Sequence, residues 1–157
     1  GNEVDLKAEH INQYIRDSSG MGFTAKNFRT WAATSRCAER LAFLSSKRTA
    51  AEMKKWLKSI PSVESMDKLW SEGDWDVPTT DIGRNKAMLA VIDTVAANLG
   101  NTRTVCRSSY IHPWFLDAWA DGRLGEAWAE FEDMRAMGNM TPGESTTLRV
   151  LKSVIKG

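Results

Sequence analysis

Apolar residues recur at helical spacing along nearly the whole chain, and no segment alternates apolar with polar residues as a half-buried strand does. That periodicity restricts the chain to an all-α fold. Val4, Ala8, Ile11 and Ile15 give a first amphipathic helix that stops near Ser18-Ser19-Gly20. Thr24 suits the N-cap of a second helix, with Phe28, Trp31, Ala38 and Leu41 towards a core. A third is expected from Thr49 to Pro61, carrying Met53, Trp56, Leu57 and Ile60. Residues 61–80, acidic and broken by Ser, Gly and Pro, read as a loop or excursion whose Met66, Leu69, Trp70 and Trp75 pack onto the body. Asp81 opens a strong helix that Gly100 ends, and Thr102 caps a short one through Val105 and Cys106. Pro113 fits the first position of the next helix and Gly122 its end. Leu124, Trp128, Phe131 and Met134 form another stripe. Thr141-Pro142-Gly143-Glu144 has the capping-box pattern for a last helix through Leu148, Leu151 and Ile155.

The 157 residues suffice for one helical domain with a real core, numbered 1–157, with an inserted excursion around 59–82. No run of about 18 apolar residues is present, which argues against a transmembrane helix, and the N-terminus has no signal-peptide pattern. Cys37 and Cys106 lack metal-type spacing and read as reduced thiols, a disulfide remaining the alternative. The net charge of +1 hides segregation. Nine Lys or Arg against Glu39 and Glu52 lie between Thr24 and Lys58, whereas 59–82 holds six acids against Lys68. A basic stretch can bind a polyanion by releasing its counterions. Taken alone, it is more often the pattern of a solvated helix face.

Two separated segments carry candidate chemistry. The first is Phe23-Thr24-Ala25-Lys26-Asn27-Phe28-Arg29-Thr30-Trp31. The second is Leu99-Gly100-Asn101-Thr102, followed by Cys106-Arg107-Ser108-Ser109-Tyr110-Ile111-His112-Pro113. Taken singly, Arg29 could be a surface ion-pair partner, Tyr110 a half-buried core residue with its hydroxyl satisfied, and Asn101 a turn residue after Gly100. His10 lies among charged residues and His112 precedes a helix-starting proline, so neither suggests a catalytic imidazole.

Together the segments resemble the signatures around the second active-site arginine and the tyrosine of small type IB DNA topoisomerases, those of poxviruses and most of all bacteria. The flanking Ile11-Asn12-Gln13-Tyr14-Ile15 and Leu116-Asp117-Ala118-Trp119-Ala120-Asp121-Gly122 extend the match. The resemblance implies the helical C-terminal half of the catalytic domain shared with tyrosine recombinases. It implies Tyr110 as the nucleophile that forms a 3′-phosphotyrosyl link and frees a 5′-hydroxyl, so that supercoils relax without ATP, metal or other cofactor. Arg29 would present its planar fork to the phosphate oxygens. Asn101 stands where many relatives carry a histidine, and its amide can donate the same hydrogen bond. Lys26 and Arg107 would contact the DNA backbone without reading sequence. The implied partners are double-stranded DNA and the upstream part of the same catalytic domain. A monomer is expected, with no membrane association, at the bacterial nucleoid or an equivalent DNA-containing compartment.

The family's earlier arginine and its general-acid lysine match no position in this chain. The chain is therefore expected to be a fragment that is inactive or very weak alone, with Tyr110 somewhat displaced. The acidic 59–82 stretch exceeds the usual connection and is expected to project away from the DNA face. A tyrosine site-specific recombinase is the alternative enzyme, although Lys26 rather than His precedes Arg29 by three places. A catalytically silent helical DNA-binding or interaction module is the alternative from another class.

Overall fold

The computed structural model describes residues 25–155, with side chains from Phe28 to Val154. The first amphipathic helix and the Thr24 cap lie outside the described residues, as does the side chain of Lys26. Within them the chain is helical, and the only strand-like pairing is an antiparallel bridge between Arg48 and Trp75. No helix among the described residues is long and apolar enough to cross a membrane.

Two 19-residue helices form the centre, α1 (Ala25–Phe43) and α4 (Asp81–Leu99). Both bury most of their circumference: Trp31, Ala33, Cys37, Ala38 and Leu41 on α1, and Ala87, Met88, Ala90, Val91, Ile92 and Val95 on α4. The many small side chains let the two helices pack directly together. Thr80 caps α4 by accepting from the Gly83 N–H, and Gly100 ends it in the left-handed region at φ 68°, which glycine adopts at no steric cost. Between the two helices, Arg40 Nη1 donates to Thr94 Oγ1 at 3.0 Å inside the core. Arg40 is thus a core residue and no part of a solvated basic face. Burial lowers its pKa to about 10, the neighbouring Arg36 adding to the effect.

Helix α2 (Ala50–Leu57) starts at Thr49 with a complete capping box: Glu52 N–H to Thr49 Oγ1 at 3.1 Å and Thr49 N–H to Glu52 Oε1 at 2.9 Å. It ends at Leu57, short of Pro61, and Trp56 stacks on Phe43 with ring centroids 4.6 Å apart. The acidic stretch is less irregular than the sequence implied, since it contains α3 (Glu64–Leu69). Met66 pegs α3 into the core at 1% exposure. Further on, Trp75 is buried and donates its indole N–H to the Leu44 carbonyl at 2.9 Å. Asp74 accepts from the Ala50 N–H at 3.0 Å and Asp76 pairs with Lys47 at 3.6 Å. Two of the six acids, Asp74 and Asp76, therefore dock onto residues 47–50 of the basic stretch.

A short helix α5 (Arg103–Val105) leads into a π-helical turn at Cys106–Tyr110. It is followed by α6 (Pro113–Ala120), α7 (Leu124–Ala129) and α8 (Pro142–Ile155). Arg84 and Trp119 tie α4 to α6 reciprocally, each side chain donating to the other's carbonyl at 2.9 and 2.7 Å. Gly122 has φ 77° beyond α6, and Thr141 and Glu144 form the second capping box. Two expected core positions are corrected. Phe28 is 42% exposed, because the buried stripe of α1 begins one turn later at Trp31. Met134 is 50% exposed, because α7 stops at Ala129 and its stripe does not continue.

Candidate active site

The tyrosine segment is built from local signals and then fixed by tertiary contacts. Thr102 caps α5, its hydroxyl accepting from the Val105 N–H at 3.2 Å, and the Cys106 N–H bonds to the Thr102 carbonyl at 3.0 Å. The helix then widens: the Ile111 N–H reaches back five residues to the Cys106 carbonyl at 3.1 Å. Cys106 and Ile111 are both buried, and keeping both inside spans one residue more than an α-turn accommodates. The widened turn leaves Arg107, Ser108 and Ser109 exposed and Tyr110 half-buried.

Thr34, on α1 and only 2% exposed, holds the end of this turn. Its hydroxyl donates to the Tyr110 carbonyl at 3.1 Å and accepts from the His112 N–H at 3.0 Å. These bonds close a loop of more than seventy residues around the nucleophile candidate. They fix the backbone of Tyr110 to α1 at its carbonyl. His112 is occupied as the N-cap of α6, its Nδ1 accepting from the Trp114 N–H at 3.1 Å. Burial lowers its pKa from the ordinary value, which favours the neutral ring that can accept.

Arg29 projects from the second turn of α1, exposed, with its guanidinium carbon 6.0 Å from the Tyr110 ring centroid. Among the described residues it has no ion-pair partner, so its fork is available to an anion. Arg29 and Tyr110, far apart in sequence, are thus brought together. Lys26 lies one helical turn before Arg29 on the α1 backbone. Arg107 sits in the π-turn, three residues before Tyr110, and is exposed.

Asn101 directly follows Gly100, and its backbone N–H bonds to the Ala96 carbonyl at 3.0 Å. Its side-chain Nδ2 is buried without a hydrogen-bond partner. A buried donor left open costs about 1–3 kcal/mol, and Arg149 Nη1 shares this state among the described residues. Residue-by-residue reasoning missed Thr34, although a signal was present: it is a polar residue on the apolar stripe of α1, three positions after Trp31 and four before Ala38. Among the described residues no group of three or more His, Cys, Asp or Glu converges as a metal-ligand set.

No curated protein matches the chain. The family model of the eukaryotic DNA topoisomerase I catalytic core matches residues 4–113, a span that contains Arg29, Thr34, Asn101 and Tyr110 and takes in more than half of the chain. The chain belongs to the DNA topoisomerase I catalytic-core family, and with it to the DNA-binding isomerases.

Proposed function

We propose that the chain is the C-terminal catalytic part of a type IB enzyme of the small poxviral and bacterial kind, and that Tyr110 is its nucleophile. The phenol oxygen attacks a backbone phosphorus. The Oη–P bond forms, the P–O5′ bond breaks, the phenolic proton passes to water, and a general acid protonates the departing 5′-oxygen. The 3′-phosphotyrosyl link keeps the phosphodiester energy, so religation needs no nucleotide hydrolysis. The free 5′ end rotates about the intact strand, then attacks the link and releases Tyr110.

Arg29 carries the electrostatic part, its planar fork neutralising the non-bridging oxygens as charge builds on the phosphorane. The observation that supports this best is the 6.0 Å approach of the Arg29 guanidinium to the Tyr110 ring, with Thr34, on the same helix as Arg29, bonded to the Tyr110 carbonyl. Asn101 supplies a further donor through its Nδ2, which has no partner and is buried, so that it must be uncovered to reach a phosphate oxygen. Lys26 and Arg107 contact flanking phosphates and position the duplex. The general acid matches no residue of this chain. We assign it to the upstream part of the catalytic domain, so that the 157 residues alone cleave DNA slowly or not at all. The protein acts as a monomer, at the nucleoid or an equivalent DNA-containing compartment.

The test uses the protein with its upstream part present, beside its Tyr110→Phe variant, on supercoiled plasmid without ATP or magnesium, with denaturant to trap protein-linked ends. Relaxation and a 3′-linked adduct that both vanish in the variant are expected. Adduct formation that survives the substitution would refute the assignment. Strand exchange between paired sites would instead identify a recombinase.

A further inference from the structure

The acidic stretch has no part in the chemistry just described, yet its helix α3 is tied to the segment that presents the tyrosine. Ser65, in the first turn of α3, donates its hydroxyl to Asp93 Oδ2 on α4 at 2.5 Å. The same carboxylate accepts both arms of Arg103, Nε to Oδ1 at 2.7 Å and Nη2 to Oδ2 at 2.6 Å. Arg103 is the first residue of α5, which runs directly into the turn that ends at Tyr110. A fork-to-carboxylate pair fixes orientation as well as distance. The Asp93 side chain is 20% exposed and that of Arg103 44%, so the pair is partly shielded from water.

The middle of the segment has little else to hold it. Residues 103–105 and 107–109 are exposed, and only Cys106 is buried between Asn101 and Tyr110. Its far end is secured by Thr34 and its near end by Asp93. Because both arms of Arg103 are engaged by Asp93, this arginine is not a free phosphate contact.

We propose that Ser65 and Asp93 are positioning residues that brace the start of the nucleophile-bearing turn, so that the acidic excursion supports Tyr110 from behind. The structural half of this stands on the three hydrogen bonds; its catalytic consequence rests on the reading of Tyr110 as nucleophile.

Ser65→Ala, Asp93→Asn and Arg103→Gln would be compared in two measurements. In the chain itself, amide hydrogen exchange at Cys106 and Ile111 should accelerate about tenfold in each variant, with α1 and the body of α4 unchanged. In the protein with its upstream part present, single-turnover cleavage should slow about tenfold, with DNA affinity and its salt dependence preserved. Asp93→Asn combined with Arg103→Gln should slow cleavage no further than either alone, since both break one link. Arg103→Lys, which keeps an ion pair without the fork, should recover part of the rate. Unchanged exchange at Cys106 and Ile111 would overturn the brace. So would a uniform loss of protection over the whole chain, which would make these residues general stabilisers. Weakened affinity with a shallower salt dependence in Arg103→Gln alone would make Arg103 a phosphate contact and also overturn it. Failure of the Tyr110→Phe control would remove the catalytic reading while leaving the exchange result to decide the brace.

Discussion

Replacing Thr34 by Val removes one hydroxyl and leaves the shape of the side chain nearly intact, so it isolates the two bonds that hold the tyrosine segment. The hydroxyl is buried, and both bonds have good length, 3.1 Å to the Tyr110 carbonyl and 3.0 Å from the His112 N–H. At about 1 kcal/mol net each, their loss costs about 2 kcal/mol, rising towards about 3 if the His112 N–H stays without a partner. Helix propensity contributes little, since Val and Thr are nearly equal. For a domain of this size the loss corresponds to a fall in Tm of roughly 4–8 °C. Urea unfolding of the chain would measure it, and hydrogen exchange at the His112 amide would show where protection was lost. Thr34→Ser keeps the hydroxyl and should lose less than half as much. Equal losses in the two variants would show that the methyl contributes as much as the hydroxyl. A Val variant as stable as the parent would refute the clamp altogether.

Three further outcomes follow from the same geometry. Asn101→Ala removes a buried donor that has no partner, so stability should hold or rise by up to about 1 kcal/mol, while single-turnover cleavage falls in the protein with its upstream part present; unchanged cleavage would leave Asn101 as a turn residue only. Cys37, with its pKa pushed from 9.0 to about 12 by burial first and by Cys106 second, should resist alkylation until the chain unfolds. Its raised value means the unfolded thiol ionises first, so this contribution to stability is complete below pH 9 and is lost as pH rises towards 12; Cys37→Ala should flatten that decline in a Tm–pH series. His112 has the opposite sign: its lowered value gives stability that is present above pH 6.5 and lost as pH falls through the depressed folded value. His112→Asn, which keeps a capping acceptor, should preserve stability at pH 7 within about 1 kcal/mol and reduce the decline between pH 7 and 5.

Features set by neighbouring residues were readable in the sequence. Gly100 and Gly122 have positive φ at the helix ends they were expected to mark, Pro113 opens its helix, and Thr141 with Glu144 forms its box. Each depends on a backbone preference or a bond spanning three residues. Helix α3 escaped notice because it has no such marker: Val63 stands at its N-cap with no side-chain bond, and what holds it is tertiary, the burial of Met66 and the Ser65 bond to Asp93. The π-turn escaped for a similar reason, since it exists to bury both Cys106 and Ile111 against α1 and α4. Arg40 was counted with the basic stretch because charge is visible in sequence and Thr94, on another helix, is not a neighbour there. Arg29 and Tyr110 were found only because both lie in recognisable motifs; nothing in their spacing states that they meet.

Helix α1 gives those two residues a common frame. Arg29 and Thr34 are five positions apart on it, about 7.5 Å along the axis; one sets a guanidinium beside the Tyr110 ring and, as proposed, supplies the charge, while the other fixes the backbone of Tyr110. Placing both on one buried, 19-residue helix makes their errors correlated: a shift of α1 carries the guanidinium and the tyrosine anchor together. Two separate loops would let the distances drift independently, and electrostatic stabilisation of a phosphorane tolerates little drift. The same frame limits how freely the tyrosine leaves its place. Swinging Tyr110 out with its backbone requires breaking the Thr34 bonds, and about 2 kcal/mol favours the docked state roughly thirtyfold before DNA arrives. On the proposed reading of Tyr110 as nucleophile, binding energy from the duplex therefore need not be spent on ordering the backbone that carries it.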